Sequence, residues 1–164
     1  MIPGRSQTPP DTGALRTRLL ALLIAETRQL DEFAQVLARE QGILGQRDVE
    51  PLFALAEEKN RHARQLQQFA DSRATVMAQA GLENSRSGIE QLLGNENQGT
   101  WQTYLAAVTR ARDLNEANGI VLTQRLSHNH QALAILMAHS DQPTVYGPDG
   151  ASRTRPGTRF LGSY

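Results

Sequence analysis

Histidine and carboxylate side chains are the groups of this chain best able to bind a metal or catalyse a reaction. Their spacing in the sequence does not suit a shared metal site. His128 and His130 lie two residues apart, which on a helix turns the second ring by about 200° around the axis. The two imidazoles therefore cannot share a metal without ligands from elsewhere, and we interpret them as solvated polar residues. Glu58 and His62 lie one helical turn apart, but the repeated Glu-x-x-His of di-iron bundles is missing. We expect no bound metal.

Other sequence signatures of catalysis are also absent. The chain has no Gly-x-Ser-x-Gly elbow, Walker loop or dinucleotide fingerprint, and the segment 147–150 (GPDG) is better interpreted as a turn. It has no cysteine, which excludes disulfides and thiolate metal sites and suits a reducing compartment. The sequence favours a protein that is not an enzyme and needs no cofactor.

Charge and hydropathy narrow the range of partners. Seventeen basic residues balance 17 acidic ones, so no overall field attracts nucleic acid or an anionic membrane. No segment approaches the roughly 20 apolar residues of a membrane span. The first apolar run, Leu19 to Ala25, belongs to a longer helical period, which argues against a signal peptide. We expect a soluble, cytoplasmic protein with no direct membrane insertion.

Apolar residues recur at alternating spacings of three and four in three long segments, which predicts helices at 12–44, 48–80 and 100–139. The first seam comprises Leu19, Leu23, Glu26, Leu30, Phe33, Leu37, Glu40 and Leu44. The second comprises Leu52, Leu55, Lys59, His62, Leu66, Phe69, Arg73, Val76 and Ala80. We expect Lys59 and His62 to snorkel or to pair with Glu26 or Glu40. The short connection between these helices predicts antiparallel neighbours.

The third helix carries two heptad tracks. They are Trp101, Val108, Asn115, Leu122, Asn129, Leu136 and Leu105, Arg112, Gly119, Leu126, Leu133. Because both tracks keep their phase across Gly119, we expect one unbroken helix. Polar residues at four of these positions suggest a surface that receives another helix transiently rather than a permanent coiled coil. Whether the leucines form internal core or a binding surface is open.

These elements predict an all-α fold: an elongated antiparallel bundle of three long helices with coiled-coil-like packing and flexible termini. The domain boundaries that follow are a disordered extension at 1–11, a helical domain at 12–139 and a flexible tail at 140–164. Four glycines and three asparagines predict a loop at 81–99, with at most a helical turn at Ile89, Leu92 and Leu93.

Three short segments follow one another in the C-terminal half: DLNEANG at 113–119, NHQALAIL at 129–136 and YGPDG at 146–150. In order and spacing they resemble the C-terminal half of FlgN-type flagellar export chaperones. The resemblance is specific from Trp101 to Gly150 and looser over the first two helices. It does not extend to the N-terminal extension or to the segment 81–99.

The resemblance implies a cytoplasmic chaperone of flagellar type III export that binds the terminal helices of hook-filament junction proteins and delivers them to the export gate. It implies family-motif residues at Asp113, Asn115, Asn118 and Gly119. The cargo surface would be Leu122, Leu126, Leu133 and Leu136. Tyr146 and Gly147 would dock on the membrane export gate. The alternative is a structural coiled-coil or adaptor protein without export cargo, and a homodimer is left open.

Overall fold

The computed structural model describes residues 11–46, 50–140, 145–146 and 152–153. Within these ranges are four α-helices, α1 (Thr12–Leu44), α2 (Pro51–Gln79), α3 (Arg86–Leu93) and α4 (Gln98–Ser140), with a 3-10 turn at Asn95–Asn97. The two-residue strands β1 (Val145–Tyr146) and β2 (Ser152–Arg153) pair antiparallel. The predicted all-α class is confirmed, and α4 is continuous through Gly119 as expected. The extensions predicted to be flexible lie outside the described residues, apart from Asp11, Ser140 and the two strands.

The described residues form two compact units, the first ending at Val121 and the second beginning at Leu122. In the first unit α1 and α2 run antiparallel. Along α1, Arg18 contacts Gln79 of α2 at 3.4 Å, whereas Glu40 accepts a 2.9 Å hydrogen bond from Lys59. Asp11 begins α1 by accepting a 3.1 Å bond from the amide of Ala14.

Helix α4 runs parallel to α1 within the first unit. Its residue numbers rise together with those of α1, from the 3.0 Å bond between Tyr104 and Glu26 to the 2.8 Å bond between Asn118 Nδ2 and the carbonyl of Leu37. The core between the helices consists of Leu19, Leu23, Leu30, Val76, Met77, Ile89, Leu92, Leu93, Trp101, Tyr104, Ala107 and Ala111.

The segment 81–99, expected to be a loop, contains helix α3. Gly81 and Gly94 have positive φ angles of 67° and 69° and flank this helix. Ser85 caps it by accepting a 3.2 Å bond from the Gly88 amide. Glycine density alone suggested a loop, but Ile89, Leu92 and Leu93 are buried, and tertiary packing of this apolar face stabilises a helix too short to persist alone.

Trp101, near the start of α4, contacts α3. Its indole Nε1 donates a 2.9 Å hydrogen bond to Glu90 of α3, and its ring stacks on Tyr104 at 5.4 Å between centroids. The bond from Trp101, followed by that from Arg86, holds the pKa of the Glu90 carboxyl below its ordinary value. The connection between α2 and α4 is therefore an ordered part of the first unit.

A buried polar cluster joins the three long helices. Glu26 of α1 is 5% exposed and accepts hydrogen bonds from Arg73 of α2 and from the hydroxyl of Tyr104 of α4. The Arg73 guanidinium lies 5.5 Å from the centroid of the Tyr104 ring. Burial raises the pKa of Tyr104 to about 12, although Arg73 opposes that shift. Burial lowers the pKa of Arg73, but the hydrogen bonds and charge interactions with Glu26 and Tyr104 together outweigh burial, so the net shift is upward.

Arg73→Met should destabilise the protein strongly, because it leaves the buried Glu26 carboxylate without its counter-charge. We expect a loss of about 3–5 kcal/mol in the free energy of unfolding, measured by urea denaturation followed by circular dichroism. The matched control is Arg110→Met. It removes an exposed ion pair, the one between Arg110 of α4 and Asp31 of α1. This control should lose at most about 1 kcal/mol. Equal losses from the two variants would contradict the role of the buried cluster.

Candidate helix-binding surface

The C-terminal part of α4 carries an exposed row of large apolar side chains. Leu122, Leu126, Leu133 and Leu136 are 43%, 52%, 54% and 67% exposed, and none of them belongs to the core. We call these four residues, together with the exposed Asn129 between them, the leucine stripe. Ile120, Ile135 and Met137 are exposed beside it. Of the two interpretations of these leucines, internal core and binding surface, their exposure favours the second.

The buried face of α4 in the first unit differs from the predicted heptad tracks. It is formed by Trp101, Tyr104, Ala107, Ala111 and Asn118. The tracks followed the large aliphatic residues, of which Leu105 and Val108 are only partly buried. They missed the alanines, whose small side chains suit a closely packed helix pair.

All four polar positions in the tracks lie outside the buried face, because Arg112, Asn115, Gly119 and Asn129 are exposed. A β-carbon added at Gly119 would meet no atom within 4 Å. Among the described helices, therefore, none approaches α4 closely at this glycine. Asn129 is the one polar position that lies within the leucine stripe.

Asn118 is the residue of the family motif with a structural role in the fold. It is 2% exposed, and its Nδ2 donates 2.8 Å bonds to the Leu37 carbonyl and to Glu40. Glu40 also pairs with Lys59 at 2.9 Å, which confirms the predicted partner of Lys59. The amide of Asn118 thereby ties α4 to the last turns of α1. Of the other motif residues, Asp113 forms an exposed ion pair with its neighbour Arg112.

His62 is not paired with Glu26 or Glu40, which was one of the two roles expected for it. Its ring is hydrogen-bonded to Gln29 and lies 6.1 Å from the Phe33 ring, centroid to centroid. Glu58 pairs instead with Arg39 at 2.6 Å, and that hydrogen bond lowers the pKa of Glu58. His128 and His130 are exposed on α4.

No group of three or more histidine, cysteine or acidic side chains in the described ranges could hold a metal ion. Within the same ranges, no helix is long and apolar enough to cross a membrane.

The residues predicted to dock on an export gate lie apart in sequence from the stripe. Tyr146 belongs to β1, where its backbone pairs with Ser152. Gly147 lies outside the described residues. The sequence thus carries its two predicted binding regions on different elements, one on α4 and one at β1.

Comparisons with known proteins agree on one family. Residues 15–154 match the family model described as FlgN protein. The Flagella synthesis protein FlgN of Salmonella typhimurium is 27% identical over 138 residues, which cover 82% of this chain and 89% of that protein. The protein of the same name from Yersinia enterocolitica is 28% identical over 147 residues, covering 88% and 94%. No solved structure matches the chain.

Leu126→Ala should leave the stability of the protein nearly unchanged, because the side chain is already exposed. We expect a change within about 0.5 kcal/mol, measured by urea unfolding at a low protein concentration. Leu23→Ala is the matched control, since Leu23 is fully buried in the core and should cost about 2–5 kcal/mol. A loss at Leu126 as large as that at Leu23 would show that the stripe is part of the folded core.

Proposed function

The chain belongs to the FlgN protein family, and from this premise we propose that it is a cytoplasmic chaperone of flagellar type III export. Its cargo is the C-terminal helices of hook-filament junction proteins. Binding keeps these proteins soluble and unassembled until they reach the export gate. The observation that carries the proposal is the exposed leucine stripe of α4.

The stripe has the spacing that a helical ligand needs. An amphipathic helix binds a complementary helix through apolar anchors about one turn apart. Leu122 and Leu126, then Leu133 and Leu136, provide such anchors. Fully burying one leucine side chain contributes about 1.5–3 kcal/mol, so four half-exposed leucines can support a specific complex once the costs of association are met.

Cargo binding at the stripe need not disturb the first unit. Its core is complete without any residue of the stripe. The bonds that hold α4 to α1 in that unit, from Tyr104 to Asn118, also involve none of these leucines. A chaperone with this division of roles can bind and release cargo while its own fold persists.

Delivery to the export gate is assigned to Tyr146 and Gly147, by their position in the segment 146–150. A tyrosine is an efficient anchor because it buries a large area while fixing few torsions. Since Tyr146 is on β1 and the stripe is on α4, gate docking and cargo binding use different residues.

The alternative is a structural coiled-coil or adaptor protein without export cargo. The exposed heptad spacing of the stripe would equally suit such a protein, which would self-associate and ignore junction proteins. Binding of cargo, not oligomeric state, discriminates the two functions.

The full chain should co-purify with the hook-filament junction proteins through the stripe. We expect Leu126→Asp to weaken binding of a junction-protein C-terminal peptide at least tenfold, corresponding to about 1.4 kcal/mol, because it places a charge within the apolar contact. Isothermal titration calorimetry measures the affinity. The control is Gln124→Asp, two residues away on the same exposed helix and about 200° around its axis. If the wild-type chain bound neither junction protein, the proposed function would be wrong.

Tyr146→Ala should weaken binding to the export-gate membrane protein and leave affinity for the cargo peptide within about twofold, since tyrosine anchors typically contribute 1 kcal/mol or more at one interface. Both affinities can be measured on the same purified variant. Tyr146→Phe is the matched control for the aromatic ring. An equal loss of gate and cargo binding would contradict the assignment of the two tasks to separate residues.

A further inference from the structure

We propose that α3 is a lid over an apolar groove of the first unit, and that the open groove binds an amphipathic helix of another protein. The groove is the surface that α3 covers, and we call it the lid groove. Arg16 of α1, Met77 of α2 and Trp101 of α4 contribute to it. These residues belong to the first unit, and none belongs to the leucine stripe. Binding at the lid groove is therefore independent of the proposed chaperone function.

Helix α3 itself shows which kind of ligand the lid groove accepts. Its apolar residues Ile89, Leu92 and Leu93 are at most 5% exposed and pack in the core together with Met77 and Trp101. They occupy positions i, i+3 and i+4, the spacing by which an amphipathic helix fills a groove. Another helix of about two turns with the same three anchors can therefore take the place of α3.

The polar contacts of the lid groove select the charge of the ligand. Arg16 Nε donates a 2.8 Å hydrogen bond to the Leu92 carbonyl, and Trp101 Nε1 donates a 2.9 Å bond to the Glu90 carboxylate. Both groups of the groove are donors, so a ligand must offer acceptors. A carboxylate directly after the first apolar anchor and a carbonyl of the last helical turn, which has no partner within its own helix, meet this requirement. The expected partner is a protein with an acidic, amphipathic helix of this pattern.

Two glycines provide the hinges of the lid. Gly81 and Gly94 have φ angles of 67° and 69°, a region of backbone conformation that glycine enters at little steric cost. A β-carbon built at either one would meet no atom of the described residues within 4 Å beyond its chain neighbours. Packing therefore places little restraint on the backbone at these two positions, and rotation there can carry α3 away from the groove.

The segment between the hinges is compact enough to move as one body. Gly88 lies so close to the Glu83 carbonyl that a β-carbon at residue 88 would collide with it. The hydroxyl of Ser85 accepts a 3.2 Å hydrogen bond from the Gly88 amide in the same turn. The first turn of α3 and the three residues before it are thus closed on themselves, and they keep these contacts when α3 leaves the groove.

The long helices remain joined when the lid opens. Glu26 of α1 is bonded to Arg73 of α2 and to Tyr104 of α4, so the buried polar cluster holds the three helices without a contribution from α3. Both hinges lie outside the helices that flank them, since α2 ends at Gln79 and α4 begins at Gln98. Opening is thus a local event, of the kind whose free energy is below that of global unfolding.

Gly88→Ala should open the lid, because the added β-carbon collides with the Glu83 carbonyl. Trp101 reports the opening, since it is the only tryptophan of the chain and is 3% exposed where it contacts α3. We expect its emission to shift to longer wavelength and its quenching by acrylamide to increase, while circular dichroism shows that the long helices persist. Gly42→Ala is the matched control, because a β-carbon at this helical glycine meets no atom within 4 Å.

Two outcomes of this experiment would contradict the lid. A Gly88→Ala variant whose Trp101 stays as protected as in the wild type would show that α3 does not open at its hinges. A variant that loses the long helices would show that α3 is a required part of the fold.

Binding in the lid groove can be measured with a labelled peptide of residues 83–95 of this chain (ENSRSGIEQLLGN), which carries the pattern of α3. Full-length Gly88→Ala should bind this peptide at least about tenfold more tightly than the wild type in fluorescence anisotropy, because apparent affinity rises with the fraction of open groove. A peptide with Leu92→Asp should bind at least about tenfold more weakly than the unaltered peptide. A peptide with Gln91→Asp, altered at an exposed position, is the matched control and should bind like the unaltered one.

The lid groove would be refuted as a helix-binding site if Gly88→Ala bound no peptide, or if the two peptide substitutions had equal effects. Leu126→Asp separates these outcomes from those of the proposed function. That variant should leave binding of the 83–95 peptide unchanged, while it weakens binding of the junction-protein peptide.

Discussion

The buried carboxylate of Glu26 constrains the arrangement of the three long helices. A charge taken out of water must be paired and hydrogen-bonded, and Glu26 finds Arg73 on α2 and Tyr104 on α4. A slip of either helix by one turn would break one of these contacts and leave the carboxylate partly unpaired. The apolar seams could slide along one another with a smaller loss of stability, because hydrophobic burial is not directional. The polar cluster therefore specifies the register that the leucines stabilise.

A second polar contact marks how far the buried face of α4 extends. Asn118 bonds to the Leu37 carbonyl and to Glu40, which also receives Lys59. No described side chain after Asn118 is buried. Glu26 and Asn118 thus fix the part of α4 that belongs to the first unit. The leucines that follow have the composition of a helix interface and no cover from the described residues of this chain.

Periodicity in the sequence predicted the elements that are defined by large apolar residues. It failed for the elements and contacts that are defined by small or polar residues. It predicted the long helices, the continuity of α4 through Gly119 and the pairing of Lys59 with Glu40. It missed α3, because the glycines at 81 and 94 act as helix boundaries and a count of glycines cannot distinguish boundaries from a loop. It also missed Tyr104, since one aromatic residue beside small alanines gives little heptad signal. Exposure of the stripe is a matter of tertiary packing, which periodicity along α4 does not reveal.

The leucines and the asparagine of the stripe have opposite effects on the stability of a complex with any partner. Its leucines favour burial, and a continuous exposed apolar surface on a soluble protein marks an interaction site. Asn129 limits the stability gained by burying the leucines, because a polar residue at the centre of a coiled-coil seam fixes register at a cost in stability. The proposed chaperone function requires release of cargo, and a helix pair weakened at its centre exchanges partners more readily than an all-leucine seam.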